Sequence, residues 1–544
     1  DKNGKRNIGL AKAFSQPLDE AVWLIRLVQA YDCVADLLSA ADRALVKDHL
    51  IRPAVKVIKA QSCGIHNHEC WHLSAYGLAG LALEDPALVD EAIHSKLGLL
   101  QQLEKGVRSD NCWFEGAWGY HFYTMEALEP FVTALANRGI PPPAAYKRLF
   151  DAPFGQVTPN WKLPAVNDCA RLGFARGDKG ELYERAWTWW RDDTYAWWLA
   201  ARPRTTRAYA LGGTPLSENR RAAPAFGSVN YGATGFAVLR SRTPGAKTDL
   251  PDNYVAVDYG PYGGGHEHPD KLNLILSAHG EMLAEDPGCI NYGNSRHWQW
   301  YKASLAHNEP VMDGKNQRYT AGKCLFFDKT ENRSCACFDA GEAYPGARVR
   351  RAVALVDDVV LDLVTVASPA SHDWEWAFHC RGKVEPSVPT AELKLPPPDE
   401  KSKYGFGREA DGTDAWRWTT QVREGRFDGT WSANWRKPDG TVSLGLVQRV
   451  VDLKSGQPLA GRLRTAVGSA QPPPETFDLA VPGVTGGELA FATVMTPGRA
   501  AAEVNLRNVV RPDDGSLRLA CEVGGKAFRL VVTDDGKVTV GENW

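Results

Sequence analysis

The eleven cysteines of this 544-residue sequence show no pairing pattern: they are scattered from Cys33 to Cys521, and no two are spaced C-x-x-C. That excludes a zinc ribbon and argues against a disulfide framework. No run of about 18 apolar residues is present, so no helix is expected to span a membrane. Charge of one sign is not in excess either. With 63 basic and 65 acidic residues the formal charge is −2, which argues against a general nucleic-acid binder. A polyanionic partner would need a local basic patch. Phosphate-cradling glycine loops of the GxGxxG or Walker type are missing, and so is a GxSxG nucleophile elbow. The chain begins at Asp1 without a methionine, which suits a processed or trimmed protein.

What is present divides in two. Through about residue 200, apolar residues recur at three- and four-residue spacing, as in "LDEAVWLIRLVQAYDCVADLL", "NHECWHLSAYGLAGLAL", "YTMEALEPFVTALAN" and "ERAWTWWRDDTYAWWLAA". Proline, glycine and asparagine mark the connections. Helix pairs without strands predict an α/α toroid or solenoid for residues 1–215. Residues 201–225, rich in proline, glycine and arginine, read as a linker. Beyond it the pattern alternates, in "YVAVDYG", "KLNLILSAHGEMLAED", "RVRRAVALVDDVVLDLVTVAS" and "HDWEWAFHCRG", which predicts antiparallel sheets over 216–544. The stretch "KLPPPDEKSKYGFGREADGTD" reads as a loop. The expected fold class is α+β and multidomain, with helices first and sheets second. The 19 tryptophans suit either a carbohydrate cleft or a large aromatic core.

Three stretches concentrate histidine, asparagine and tyrosine. "GIHNHECWH" holds His66, Asn67, His68, Glu69, Trp71 and His72. "NCWFEGAWGYHFY" holds Glu115, Tyr120, His121 and Tyr123. The third runs from Gly263 to Asn308 and holds "GGGHEHPD", "AEDPGCINYG" and "WQWYKASLAHNEP". A binuclear hydrolase loop of the form HxHxDH would supply ligands to two metals, but Lys271 stands where its last histidine should be.

The run HxHxD, then Asp-x-Gly with a following tyrosine, then His-Asn, resembles the heparinase II/III-like polysaccharide lyases, which include glycosaminoglycan and oligoalginate lyases. The resemblance runs from about Gln16 to His379. It implies an incomplete α/α toroid followed by antiparallel sheets. It implies catalytic roles for Asn67, His68, Tyr120 and His266, and a single structural divalent metal, zinc expected, on His268, Asp286 and His307. Asp270 then becomes a supporting residue. His66, Trp71, Glu115, His121, Arg296 and Tyr301 are the expected substrate contacts, the partner is an acidic polysaccharide, and the location is secreted or periplasmic.

The chemistry stands beside the resemblance. β-Elimination at a uronic acid removes the proton α to the carboxylate and expels the O4 substituent, so the carboxylate charge must be neutralised and the enolate held. Asn67 can donate hydrogen bonds, and His68 and His266 can donate or carry charge. A tyrosine hydroxyl, with a pKa of about 10, needs cationic neighbours to act as a base. Tyr120 is the first choice, His68 the alternative base, and Tyr292 and Tyr301 further candidates for the acid. Two other readings stay open. One is a toroid glycoside hydrolase using Glu69 and Glu115. The other is a carbohydrate-binding protein whose metal only braces the sheets. If His266 and His268 lie on a strand, they share one face and stand about 6.6 Å apart.

Overall fold

The computed structural model describes residues 14–216, 222–243, 245–261, 263–330, 332–401, 404–405, 408–470 and 475–541. The chain divides into two compact units. One takes in residues up to Glu115 together with Gly119–Pro153 and Ala175–Pro224. The other takes in Gly116–Trp118, Phe154–Phe174 and everything from Ala225 onward.

The first unit is helical. Pro17–Val34 starts with proline at its first position, where the missing N–H costs nothing. Asn67–Leu83 is capped by the ring of His66, whose Nδ1 accepts the His68 N–H at 3.2 Å. It ends on Glu84 in the left-handed region at φ 56°. The helix is buried on most of its circumference, from Asn67 and Glu69 to Leu83, so it is a core helix and not an amphipathic surface one. Trp118–Ala136 carries Tyr120 and His121 in its first turn. The stretch expected to be a linker is not wholly irregular: Arg207–Ala210 forms one helical turn. Thr206 Oγ1 accepts the Tyr209 N–H there, and both Glu181 oxygens accept the N–H groups of Arg207 and Ala208. Those caps overcome the local composition. Residues 217–221 of that stretch lie outside the described residues.

The second unit is built of antiparallel sheets. Val229–Tyr231, Phe236–Ser241, Asn253–Asp258, Leu274–Ala278 and Glu281–Ala284 form a five-stranded meander. Its last hairpin turns at His279-Gly280, both with positive φ, the geometry that matches strand twist. A thirteen-stranded sheet follows, with Val359–Trp376 and Thr476–Pro497 as its long central pair. A four-stranded sheet, Val504–Val510 to Val538–Gly541, completes the unit.

Alternation decides the layers. Val353 and Leu355 pack with Leu239, Val255 and Val257 of the five-stranded sheet. Ala354 and Val356, one residue out of phase, pack with Leu519, Cys521 and Leu530 of the four-stranded sheet. The strand Arg348–Val356 is therefore covered on both faces over its second half, which is why Ala352–Val356 reads as continuous apolar residues after three arginines. The described residues of "KLPPPDEKSKYGFGREADGTD" form neither helix nor strand, and 402–403 and 406–407 lie outside them. The connection between strands Asn253–Asp258 and Leu274–Ala278 is the segment that positions His266 and His268.

Candidate active site

In the helical unit, Asn67 is fully buried at the head of its helix. Its Nδ2 donates to both oxygens of Glu115, at 2.9 and 3.0 Å, and its backbone N–H donates to Oε2 at 3.2 Å. Trp113 Nε1 donates to the same Oε2 at 2.6 Å, and His66 Nε2 lies 3.3 Å from Oε1. One carboxylate subtends too narrow an angle for two amide hydrogens, so a single N–H of Asn67 serves both oxygens. The other N–H is left to be donated elsewhere. Glu115 thus fixes the amide plane. His68 and Tyr120 are half-buried, and the His68 ring meets the His66 ring edge-on at 4.8 Å.

In the strand-rich unit, His266 and His268 do not lie on a strand. They occupy the turn-rich connection 259–273, where Gly264 at φ 100° and Pro269 prevent a regular ladder. Asn167 and Asp168, about a hundred positions earlier, clasp this connection instead. The Asp168 N–H donates to His266 O and the His268 N–H to Asn167 Oδ1, both at 3.0 Å. Asp168 Oδ2 lies 3.1 Å from His266 Nδ1, and Oδ1 lies 3.0 Å from His268 Nε2. Burial pushes the Asp168 carboxyl up, but hydrogen bonds from His266 and then His268 win and hold it well below the usual carboxylate range. Tyr292 Oη is 3.3 Å from His266 Nδ1, and the two rings stack.

The pair therefore divides its work. His266 is half-buried and commits Nδ1 to Asp168. His268 is fully buried and commits Nε2, so its Nδ1 lone pair points inward. There it meets His307 Nε2 at 3.3 Å. His307 donates from Nδ1 to Ala303 O at 2.8 Å, which makes Nε2 a second inward lone pair. Asp286 Oδ2 is 3.7 Å from that nitrogen, with Asn273 Nδ2 donating to it at 2.7 Å. Two lone pairs and a carboxylate converge in a fully buried space, each ligand oriented by an outer partner, as in a metal site. Burial lowers His307 to about 4. Burial and the neighbouring Asp270 raise Asp286 well above its ordinary range, and a cation offsets that penalty. These residues fit one divalent ion.

Lys271, which breaks the hydrolase pattern, lies behind the loop with Nζ 2.5 Å from Glu267 Oε1 and 3.2 Å from Asp270 Oδ1. It balances buried carboxylates and leaves no place for a second metal set. In Asp286-Pro287-Gly288 the Gly288 N–H donates to Asp286 Oδ1 at 2.8 Å, and Gly288, at φ 68°, accepts no side chain because a Cβ would meet Cys169 O at 2.5 Å.

Residues 223–456 match the family model described as heparinase II/III-like, C-terminal. The match spans the strand-rich half of the chain up to residue 456. An alginate lyase of Stenotrophomonas maltophilia strain K279a is 24% identical over 426 residues, covering 69% of this chain and 56% of that protein. An exo-oligoalginate lyase of Saccharophagus degradans strain 2-40 is 23% identical over 444 residues, with the same coverage of each. The chain thus spans little more than half the length of these curated relatives. A heparan sulfate lyase structure from Pedobacter heparinus matches with a TM-score of 0.65 at 14% identity, covering 98% of this chain and 76% of that one. A heparinase III structure matches with a TM-score of 0.69 at 13% identity, covering 98% and 77%. The fold class, helices followed by antiparallel sheets, is that of these heparinase-like structures.

Within this heparinase II/III-like frame the expected substrate contacts are placed unevenly. Arg296 lines a cavity of about 670 Å³ with Arg417, Arg423 and Glu392, and its guanidinium lies 5.2 Å over the Trp418 ring. His66 is half-buried beside Glu115. Trp71 is buried against the Tyr123 ring. Two placements correct the sequence reading. His121 is buried, with Nδ1 accepting the Trp113 N–H at 3.2 Å and Nε2 donating to Leu149 O at 2.8 Å, so both nitrogens serve the fold. Tyr301 is fully buried, and its hydroxyl bonds Ser469 Oγ and Ala470 O. Glu115 is buried too, and orients Asn67 from inside. Asp168 was missed by the sequence reading. Its segment has no periodicity, and the only signal was the pair Asn167-Asp168 in a turn-rich stretch.

Proposed function

We propose that this chain is a polysaccharide lyase that cleaves uronic-acid-containing chains by β-elimination, leaving an unsaturated uronide. The observation that carries the reading is Glu115. Both of its oxygens face donors of its own fold, and Glu69 likewise accepts the Cys63 N–H at 2.8 Å. A hydrolase needs a carboxylic acid aimed at a glycosidic oxygen; here the two acids are spent on positioning. The clamped Asn67 keeps one N–H for a sugar carboxylate, which lowers the cost of forming the enolate. Tyr120 transfers the proton, with His68 the alternative base, and His266 helps neutralise the sugar carboxylate.

His268, Asp286 and His307 would hold one divalent ion, zinc by donor type. Such an ion supplies a fixed charge that braces the connections carrying these residues. The basic cavity at Arg296 suits an acidic sugar. Glycosaminoglycans come first among substrates. Alginate is the second reading, favoured by the two curated relatives. An acidic polymer of this size is met outside the cytoplasm, so the proposed location is secreted or periplasmic.

A panel of hyaluronan, chondroitin, heparan sulfate and alginate tests the proposal by ultraviolet absorbance of the conjugated product. Reducing ends that accumulate without that absorbance would establish hydrolysis. Tyr120→Phe removes only a hydroxyl, so a folded variant should lose about 10²- to 10⁴-fold in kcat. Near-normal turnover would reassign the proton transfer to His68.

A further inference from the structure

The helical unit carries a second cluster that the proposed reaction does not use. Glu69 and His72 lie three residues apart on one face of the helix Asn67–Leu83. His72 Nδ1 is 3.7 Å from Glu69 Oε2. Cys63, in the segment leading into the helix, joins them, and the thiol sulfur, one carboxylate oxygen and one ring nitrogen all lie within 4.8 Å of one another. We propose that Cys63, Glu69 and His72 form a second divalent-metal site, of zinc type, separate from the one on His268, Asp286 and His307.

Two observations support it independently. The first is the donor set. Thiolate, imidazole and carboxylate are the three zinc donors, and three protein ligands with a fourth position for water make an ordinary tetrahedral shell. With metal–ligand bonds of about 2.0–2.3 Å, neighbouring tetrahedral donors stand roughly 3.3–3.8 Å apart, and the His72–Glu69 separation already falls there. The remaining closure is small and belongs to Cys63, which is exposed on a connecting segment.

The second observation is His72 itself. It is 2% exposed, and neither ring nitrogen has a hydrogen-bond partner among the described residues. A neutral imidazole always carries one donor and one acceptor, so a buried ring with neither satisfied is costly unless something else binds it. A cation on Nδ1 satisfies that nitrogen and offsets the buried charge of Glu69. Its structural consequence is local: Cys63 and Glu69 would be tied across the turn that delivers His66, Asn67 and His68. The Cys63 N–H to Glu69 Oε2 bond already begins that tie.

The full chain, stripped with a chelator and titrated with Zn²⁺, should take up one more equivalent than its Cys63→Ser variant. With Co²⁺ the wild type should show a thiolate-to-metal charge-transfer band in the near ultraviolet. The His/Asp/His site has no sulfur and cannot produce it. Cys63→Ser should abolish the band while leaving the His268-dependent equivalent bound. Because Cys63 is exposed, this variant is expected to fold, so a failure of His72→Ala to fold would not decide the matter. Equal uptake by wild type and Cys63→Ser, with no cobalt–thiolate band in either, would overturn the site. Neither result depends on lyase activity.

Discussion

At Glu115 three donors from two residues, Asn67 and Trp113, converge on one buried carboxylate. Glu115→Gln keeps the shape but turns half of the acceptor into a donor facing donors. Leaving a buried hydrogen-bonding group unmatched costs about 1–3 kcal/mol. Part of that should appear as lost stability and part as a misplaced Asn67 amide. We expect kcat to fall about tenfold to a hundredfold, since misplacement away from the reacting atoms costs on this order. Adding Asn67→Ala to Glu115→Gln should then cost little beyond Asn67→Ala alone, because the two act as one unit. Kinetics of the four proteins on one unsaturated-uronide assay check this. Fully additive losses would give Glu115 a role of its own.

The connection 259–273 shows what the sequence could and could not reveal about an element. The helix Asn67–Leu83 was legible because its apolar residues continue for 17 positions without a proline, and the hairpin Leu274–Ala284 because its strand pattern breaks at His279-Gly280. The HxH run offered alternation as well, but the glycines before it and Pro269 after it removed the ladder, so the strand geometry expected for it does not occur. Its two histidines still differ, because Asp168 holds each by a different nitrogen. That carboxylate could not be read from sequence, since nothing local marks a contact across about a hundred residues. From this arrangement His268→Ala should lose the divalent ion proposed for His268, His307 and Asp286 and lower the melting temperature. Metal binding contributes directly to folding free energy, and Asp286 would be left poorly compensated. His266→Ala should keep metal and melting temperature and lose turnover. Metal analysis and melting of both variants decide it, and equal metal loss would make His266 a ligand.

At the scale of the whole molecule, the division into units was harder to read than the elements. Phe154–Phe174 precedes the strand-rich sequence yet packs with it, and a linear reading of composition has no term for that. Both units nevertheless share one electrostatic property: each buries a histidine in its neutral form. Burial lowers His121 to about 4 in the helical unit and, with His307 beside it, His379 to about 3 in the strand-rich unit. An unfolded histidine titrates near 6.5. Between those values the unfolded chain binds protons that the folded chain refuses, so unfolding takes up protons and stability falls as the pH falls. The contribution is fully present above about pH 6.5 and is lost progressively toward pH 4 for His121 and pH 3 for His379. The slope is about 1.4 kcal/mol per pH unit for each ring. His121 makes the sharper test, because its Nδ1 must stay unprotonated to accept the Trp113 N–H. His121→Asn retains a donor and an acceptor but cannot titrate. Denaturant unfolding measured from pH 7 to pH 4 should show wild-type stability falling more steeply than that of the variant, by the equivalent of one proton. Comparing slopes cancels every other group that titrates in this range, so parallel curves would mean that His121 takes up its proton in the folded protein at the same pH as in the unfolded chain.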